Sequence, residues 1–270
     1  MINQSDNYID LIYINGNIAF EAGNYDKAIE NYDYAIYIDA DFNNAIFNKG
    51  KALFELKRYS EAIECFLKVL EIDQSDIEVL EYIGKTYDKI EKYDKAITYY
   101  NKALECCNGD NESIFFNIGM MYKNCENYKQ AIIFFDKSIK SSPLNVKSLL
   151  NKGLSLIEHG KKIDNSASFI EAVKCFDRVL EIDPENLSAI IEKAQLLSAM
   201  NYTEQSISLY LKALDISPDN LTIMESLAKQ YKKNEKYDEA LFYYQKILKT
   251  QNDNNILAEV AYLSNMILMT

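Results

Sequence analysis

The sequence predicts an all-α fold, an α-solenoid built from antiparallel helix pairs, and three observations carry that expectation. A small residue recurs at Ala28, Ala62, Ala96, Ala131, Ala172, Ser206 and Ala240, with steps of 34, 34, 35, 41, 34 and 34 residues. An aromatic follows each after four places: Tyr32, Phe66, Tyr100, Phe135, Phe176, Tyr210 and Tyr244. Only three prolines and eight glycines occur in 270 residues, too few for a turn-rich β fold. A fixed period in this range is the mark of stacked supersecondary units, each burying its apolar face against its neighbours.

Taken in order, residues 1–8 read as a polar lead-in in which Ser5, Asp6 and Asn7 can cap the first helix. Repeat units then follow at about 9–42, 43–76, 77–110, 112–145, 146–186, 187–220 and 221–254. Each pairs a first helix, centred on a small residue, with a second helix carrying the small–aromatic–small stripe. The small residues of the first helices are Gly16, Gly50, Gly84, Gly119, Gly153, Ala194 and Ala228. They mark where the two helices must approach closely, and a larger side chain there would overpack at a cost of roughly 1–3 kcal/mol. The second-helix aromatic is expected to fill space towards the following repeat.

Asp76, Asn111, Asn145, Asn186, Asn220 and Asn254 stand just before predicted first helices, each able to accept from a first-turn N–H. Pro143, Pro184 and Pro218 stop the preceding helices. The fifth repeat departs from the pattern: Gly153 to Ala172 spans 19 residues where the other repeats use 12. The surplus falls at about 161–167, as a longer helix, an open loop or a contact element. Repeat six has Ser206 for alanine and Tyr202 one place early, so a shorter turn is expected there. Residues 255–270 read as one further apolar helix that caps the array or pairs with a second copy.

These features resemble the tetratricopeptide repeat (TPR) over residues 9–254. The resemblance implies a right-handed superhelix spanning 1–270 as a single array, with 255–270 as its capping helix. It further implies that the first helices line a concave groove holding an extended peptide or a partner's helix. Carried over residue by residue, that groove contains Tyr13, Asn17, Phe20, Phe47, Asn48, Lys51, Phe54, Tyr82 and Lys85, then Phe116, Asn117 and Met120. It continues through Leu150, Asn151, Leu154, Ile157 and Ile191. Two apolar clusters are expected, one of Tyr13, Phe20, Phe47 and Phe54, the other of Phe116, Met120, Leu150, Leu154, Ile157 and Ile191. Charges along this face balance, Lys51, Lys85, Lys123, Lys147, Lys229 and Lys232 against Asp10, Glu78, Glu81, Asp88, Glu192 and Glu225.

Two specialised TPR patterns can be compared. The clamp that holds a chaperone's terminal carboxylate needs cations where this chain has Tyr13, Glu78 and Tyr82, although Asn17 and Asn48 match its asparagines. The asparagine ladder of O-linked N-acetylglucosamine transferase is matched by Asn48, Asn117 and Asn151 but not by Ile14, Tyr82, Glu192 or Ser226. The match implies contacts from those three asparagines to a ligand backbone.

The net charge of −12 argues against nucleic acid as the principal partner. No run of about 18 apolar residues suggests a membrane span, and the first residues lack a basic stretch leading into an apolar one. The five cysteines, Cys65, Cys106, Cys107, Cys125 and Cys175, contain no CxxC pair, which with the absent leader points to reduced thiols and a cytoplasmic protein. His159 is the only histidine and has no evident orienting partner, and there is no phosphate-binding glycine motif. No cofactor, metal or catalysis is expected. The expectation is a non-catalytic scaffold binding a partner protein or peptide, with self-assembly through the last helix as the alternative. A role as the regulatory or substrate-recruiting subunit of an enzyme complex ranks behind both.

Overall fold

In a computed structural model, which describes residues 4–109, 111–251 and 253–269, the chain forms helices and no strands among those residues. Contacts divide it into two compact units, Met1–Asn127 and Tyr128–Thr270.

The first unit contains α1 (Gln4–Glu21), α2 (Tyr25–Ile38), α3 (Asn43–Glu55), α4 (Tyr59–Ile72), α5 (Ile77–Lys89), α6 (Tyr93–Cys106) and α7 (Glu112–Asn124). The second contains α8 (Tyr128–Ser141), α9 (Val146–Ile163), α10 (Ser166–Ile182), α11 (Leu187–Ala199) and α12 (Thr203–Ile216). It ends with α13 (Leu221–Lys233), α14 (Tyr237–Leu248) and α15 (Asn254–Met269). Since α1 already begins at Gln4, Ser5, Asp6 and Asn7 lie inside that helix and not ahead of it.

The pairs α1–α2, α3–α4, α5–α6 and α9–α10 close on the predicted small residue. A Cβ added at Gly16, Gly50 or Gly84 would lie 2.6, 2.5 or 2.7 Å from the ring of Tyr32, Phe66 or Tyr100, and at Gly153 2.7 Å from that of Phe176. In these pairs the second-helix aromatic therefore covers the glycine of its own repeat, a contact additional to the expected packing towards the following one. Phe66 also reaches onward, its ring centre 5.4 Å from that of Tyr82. Ser206 keeps the buried place of an alanine because its hydroxyl donates to the Ala194 carbonyl at 2.8 Å.

Successive pairs are joined by matched side chains. The residue before the small one reaches the residue after the preceding aromatic: Lys49 pairs with Asp33, Lys152 with Asp136 at 2.8 Å, and Lys193 with Asp177. In the last repeats the same two places are Leu227 and Leu211, which share one apolar cluster. Lys152 also meets Glu171 at 2.7 Å. Burial alone would push its ammonium down, but Asp136 and Glu171 overcome this and hold it up at about 12.

The tight turn inside a pair uses a left-handed residue: Gly23, Lys57, Glu91, Glu126, Asn201 and Glu235 have φ between 55° and 73°. Around it the Arg58 N–H bonds Leu53 O at 2.8 Å and the Lys92 N–H bonds Tyr87 O at 2.9 Å, pairing carbonyls the helix end leaves open. The turn of repeat six keeps this form, so the expected shortening does not occur. Tyr202 instead takes the N-cap place of α12 and lies exposed.

Asp76, Asn111, Asn145, Asn186 and Asn220 cap as predicted, at 2.9 to 3.2 Å. For α15 the cap is Asp253, which accepts from Ile256 N at 3.3 Å, and Asn254 is already helical. The surplus at 161–167 is neither an open loop nor confined to the first helix. Helix α9 has 18 residues where α5 has 13, and α10 has 17 where α6 has 14. Asp164 and Asn165 alone make the turn, and buried Gly160 lets α9 approach Ser168 and Phe169 closely.

Candidate functional site

In the first unit the first helices α1, α3, α5 and α7 stand side by side, and the side chains between their buried positions form one face. The small residue fixes that register. With Gly16, Gly50 and Gly84 turned onto the second helices, Phe20, Phe47, Lys51, Phe54, Tyr82 and Lys85 fall on the free side of each helix.

The aromatic residues gather about Tyr82. Phe47 meets its ring edge-on at 5.5 Å between centres and Phe54 at 6.1 Å. Phe20 and Phe54 are each braced by the tyrosine that opens the second helix of their own repeat, Tyr25 at 5.3 Å and Tyr59 at 5.6 Å. Tyr13 packs on Phe42 at 5.0 Å and Tyr32 at 6.0 Å, beside the cluster. Tyr32 is buried, whereas Phe20, Phe47, Phe54, Tyr82 and Tyr13 are only partly buried.

An ammonium sits among these rings. Lys51 Nζ is 5.8 Å from the centre of Phe20, 5.3 Å from Phe47 and 5.5 Å from Tyr82, and 3.7 Å from Glu78 Oε1. Lys85 Nζ lies 5.1 Å from the Tyr82 ring and 3.3 Å from Glu81 Oε2. Rings with a negative face hold such cations, and the hold strengthens as water is excluded. Burial, and then the carboxylates of Glu78, Glu55 and Glu81, raise the Tyr82 hydroxyl above its ordinary pKa, keeping it a neutral donor.

The asparagines work inside the wall. Asn48 Nδ2 donates to Tyr13 Oη at 2.9 Å and to Asn17 Oδ1 at 3.0 Å, and Tyr32 Oη donates to the same Asn17 oxygen at 2.8 Å. Glu81, only 8% exposed, accepts from Ser113 Oγ at 3.0 Å and Asn117 Nδ2 at 3.3 Å. Asn151 donates to Lys147 O of its own helix at 2.9 Å. The sequence reading counted Glu81 as one acid among six and missed its role as the shared acceptor. The available signal was an acid where α1, α3, α7, α9 and α11 carry Tyr13, Phe47, Phe116, Leu150 and Ile191, although α13 also has an acid there, Glu225.

Phe116 and Met120 belong to α7 of the first unit and are half-buried. In the second unit Leu150, Leu154 and Ile157 of α9 pack against the core around Leu149, Leu156 and Phe176. Ile191 of α11 packs elsewhere, with the Ile190 and Tyr210 cluster, and lines a cavity of about 260 Å³ with Gln195, Thr222 and Ser226. Leu150, Leu154 and Ile157 thus pack with one core cluster and Ile191 with the next.

A larger recess of about 550 Å³ lies on the second-helix side of the first unit, between Leu67 and Leu70 of α4 and Lys102 and Cys106 of α6. Its rim mixes Glu71, Lys102 and Glu105, and it lacks aromatic rings. Cys175 is buried, and desolvation pushes its thiol up to about 11, so it is a poor nucleophile. Among the described residues no group of three histidine, cysteine or acidic side chains could hold a metal, and no helix is long and apolar enough to cross a membrane.

Two family models described as tetratricopeptide repeat match the chain, one over residues 41–108 and the other over 9–42, 112–143 and 187–220. No curated protein sequence matches. Among solved structures, the C-terminal part of a TPR repeat-containing protein from Cytophaga hutchinsonii is 18% identical with a TM-score of 0.73, covering 92% of this chain and 99% of its own. A tetratricopeptide repeat protein from Parabacteroides merdae is 17% identical with a TM-score of 0.63, covering 97% and 100%. YrrB, described as a TPR protein with an unusual peptide-binding site, is 22% identical with a TM-score of 0.54, covering 72% and 96%.

Proposed function

Because this chain belongs to the tetratricopeptide repeat family, we propose that it is a non-catalytic scaffold whose first unit binds a partner polypeptide on the first-helix face. The observation that carries this reading is the Phe20, Phe47, Phe54 and Tyr82 cluster, half-open and gathered around the Lys51 ammonium. Aromatic side chains held rigid by their neighbours are the usual anchors of binding faces, because they lose little freedom when a ligand covers them. YrrB, of similar fold, is described as having a peptide-binding site, which is consistent with the proposal.

The ligand places apolar side chains on the exposed parts of these rings. Backbone recognition by Asn48 and Asn117 is secondary, since their amide hydrogens already serve Tyr13, Asn17 and Glu81. A terminal carboxylate is disfavoured, because Glu78 and Glu81 occupy the two nearest cations.

The test is selection of a displayed peptide library on the intact chain, followed by screening against Phe54→Glu, with circular dichroism confirming that the variant is folded. Selected peptides should share apolar anchors and lose binding to the variant. Peptides that bind the variant as well as the parent would move the site off this face.

A further inference from the structure

In the first unit each first helix closes on the next through one fixed pair of places: the residue three before a small one, and the residue two before the next small one. Tyr13 Oη accepts from Asn48 Nδ2 at 2.9 Å, the Phe47 ring meets that of Tyr82 at 5.5 Å, and Glu81 accepts from Asn117 Nδ2 at 3.3 Å. In the second unit α11 and α13 set Ile191 and Ser226 at these two places. An aliphatic chain and a short hydroxyl replace the bridge, and both line the cavity of about 260 Å³.

The rest of the lining matches the junction of the first two repeats place for place. Gln195 stands where Asn17 does, the buried Tyr210 where Tyr32 does, and Asn220 where Phe42 does. In that first junction the phenol of Tyr13 fills the space, its ring centre 6.0 Å from that of Tyr32 and 5.0 Å from that of Phe42. Replacing the Tyr13 ring by Ile191, and Asn48 by the shorter Ser226, leaves the same walls without the ring. A cavity of about 150 Å³ already accepts a benzene ring, so this one has room for a phenol. Gln195 and Thr222 are exposed at its edge, which opens it to solvent.

We propose that this cavity receives the phenol of an unphosphorylated tyrosine on a bound polypeptide, in the place that Tyr13 fills from within the chain at the first junction. The ring packs on Ile191 and Tyr210, and its hydroxyl bonds with Ser226 and Gln195, each able to donate and to accept. A ring without the hydroxyl would cover those groups without pairing them. A carboxylate in the manner of Glu81 is not accommodated: Lys85 supports Glu81 at 3.3 Å, and neutral Gln195 stands at the place of Lys85. Phosphotyrosine is refused on the same ground, because no charged side chain lines the cavity and Glu192 acts on the Tyr210 hydroxyl from nearby. The site lies in the other unit from the aromatic cluster around Lys51 and does not rest on it.

The probe is N-acetyl-tyrosinamide, titrated into the intact chain and followed by saturation-transfer NMR of its ring protons. Saturable binding in the millimolar range or tighter is expected. It should exceed that of N-acetyl-phenylalaninamide about fivefold, and the phosphotyrosine analogue should not bind. Ile191→Tyr fills the cavity from within and should weaken the probe at least about tenfold, whereas Ile191→Val leaves it open and should change affinity less than about threefold. Gln195→Ala, at an exposed side chain, should weaken the probe about fivefold and keeps the test decisive if circular dichroism shows Ile191→Tyr to be unfolded. Absence of saturable binding, equal binding of the phenylalanine analogue, or binding that ignores Gln195 and a folded Ile191→Tyr overturns the proposal. So does free tyrosine binding as tightly as the blocked amide, since a free amino acid and not a polypeptide would then be the ligand. No first-unit residue is altered, so failure here leaves the first-helix face proposal standing.

Discussion

The Tyr32 hydroxyl donates to Asn17 Oδ1 at 2.8 Å, whereas the hydroxyl of Tyr244, its counterpart in the last repeat, has no hydrogen-bond partner among the described residues. Both rings are buried, and desolvation pushes both phenols up to about 12. Phe66, Phe135 and Phe176 occupy the same place elsewhere. Tyr244→Phe should therefore raise stability by about 1 kcal/mol, removing an unsatisfied polar group, while Tyr32→Phe should lower it by about 1 kcal/mol. Urea unfolding of the two variants checks the opposite signs.

Lys152 pairs with Asp136 and Glu171 at a place where the last repeats use Leu227 and Leu211. Lys152→Leu alone should cost about 1 kcal/mol after allowance for the exposed carboxylates, because both acids lose their cation. The double change Lys152→Leu with Asp136→Leu should recover most of that loss, since a hydrophobic pair of similar volume replaces an ion pair without penalty. Thermal unfolding of both variants separates this outcome from simple additivity.

Burial raises the Asp88 carboxyl above its ordinary range, with Lys89 opposing, and Asp88 Oδ1 has no partner among the described residues. The folded state thus holds this proton to higher pH than the unfolded state does. Stability falls as pH rises from the ordinary carboxylate range through the raised folded value. Asp88→Asn should melt higher than the parent at pH 7, and the gap should close as the pH drops towards the ordinary carboxylate range. A gap that widens in acid would reverse the sign.

Lys57, Glu91, Glu126 and Glu235 hold the left-handed turn that Gly23 makes in the first repeat. A side chain in this conformation costs roughly 1 kcal/mol relative to glycine. Glu126→Gly and Lys57→Gly should each stabilise by about 0.5–1 kcal/mol, read from the denaturant midpoint.

What was legible in the chain was local or periodic. The glycine–aromatic register and the asparagine caps follow from contacts repeated every turn of the pattern, so Gly84 with Tyr100 and Asn186 with Ala189 could be read directly. The misreadings came where a spacing permits two backbones. Seven surplus residues in repeat five suit a loop as well as two lengthened helices, and only the approach of Gly160 to Phe169 decides it. Tyr202 suggested a short turn because a tyrosine moved, although the turn's left-handed residue, Asn201, had not. Glu81 and the Lys193–Asp177 pair were obscured for another reason: their partners lie one repeat away, and a charge on an amphipathic helix reads as solvated.

Binding to the first-helix face should depend weakly on salt. Lys51 and Lys85 are already matched by Glu78 and Glu81, so burial of apolar surface supplies the energy. A selected peptide should change affinity less than about threefold between 50 and 500 mM sodium chloride, measured by calorimetry.

The most direct test of the proposed site is amide and side-chain NMR of the intact chain, with a selected peptide titrated to saturation. The shifts should concentrate on Phe20, Phe47, Lys51, Phe54 and Tyr82, with the Lys51 ammonium leaving or tightening among its rings. Shifts confined to the recess between α4 and α6, or to α15, with those five residues unmoved, would contradict the assignment of the first-helix face.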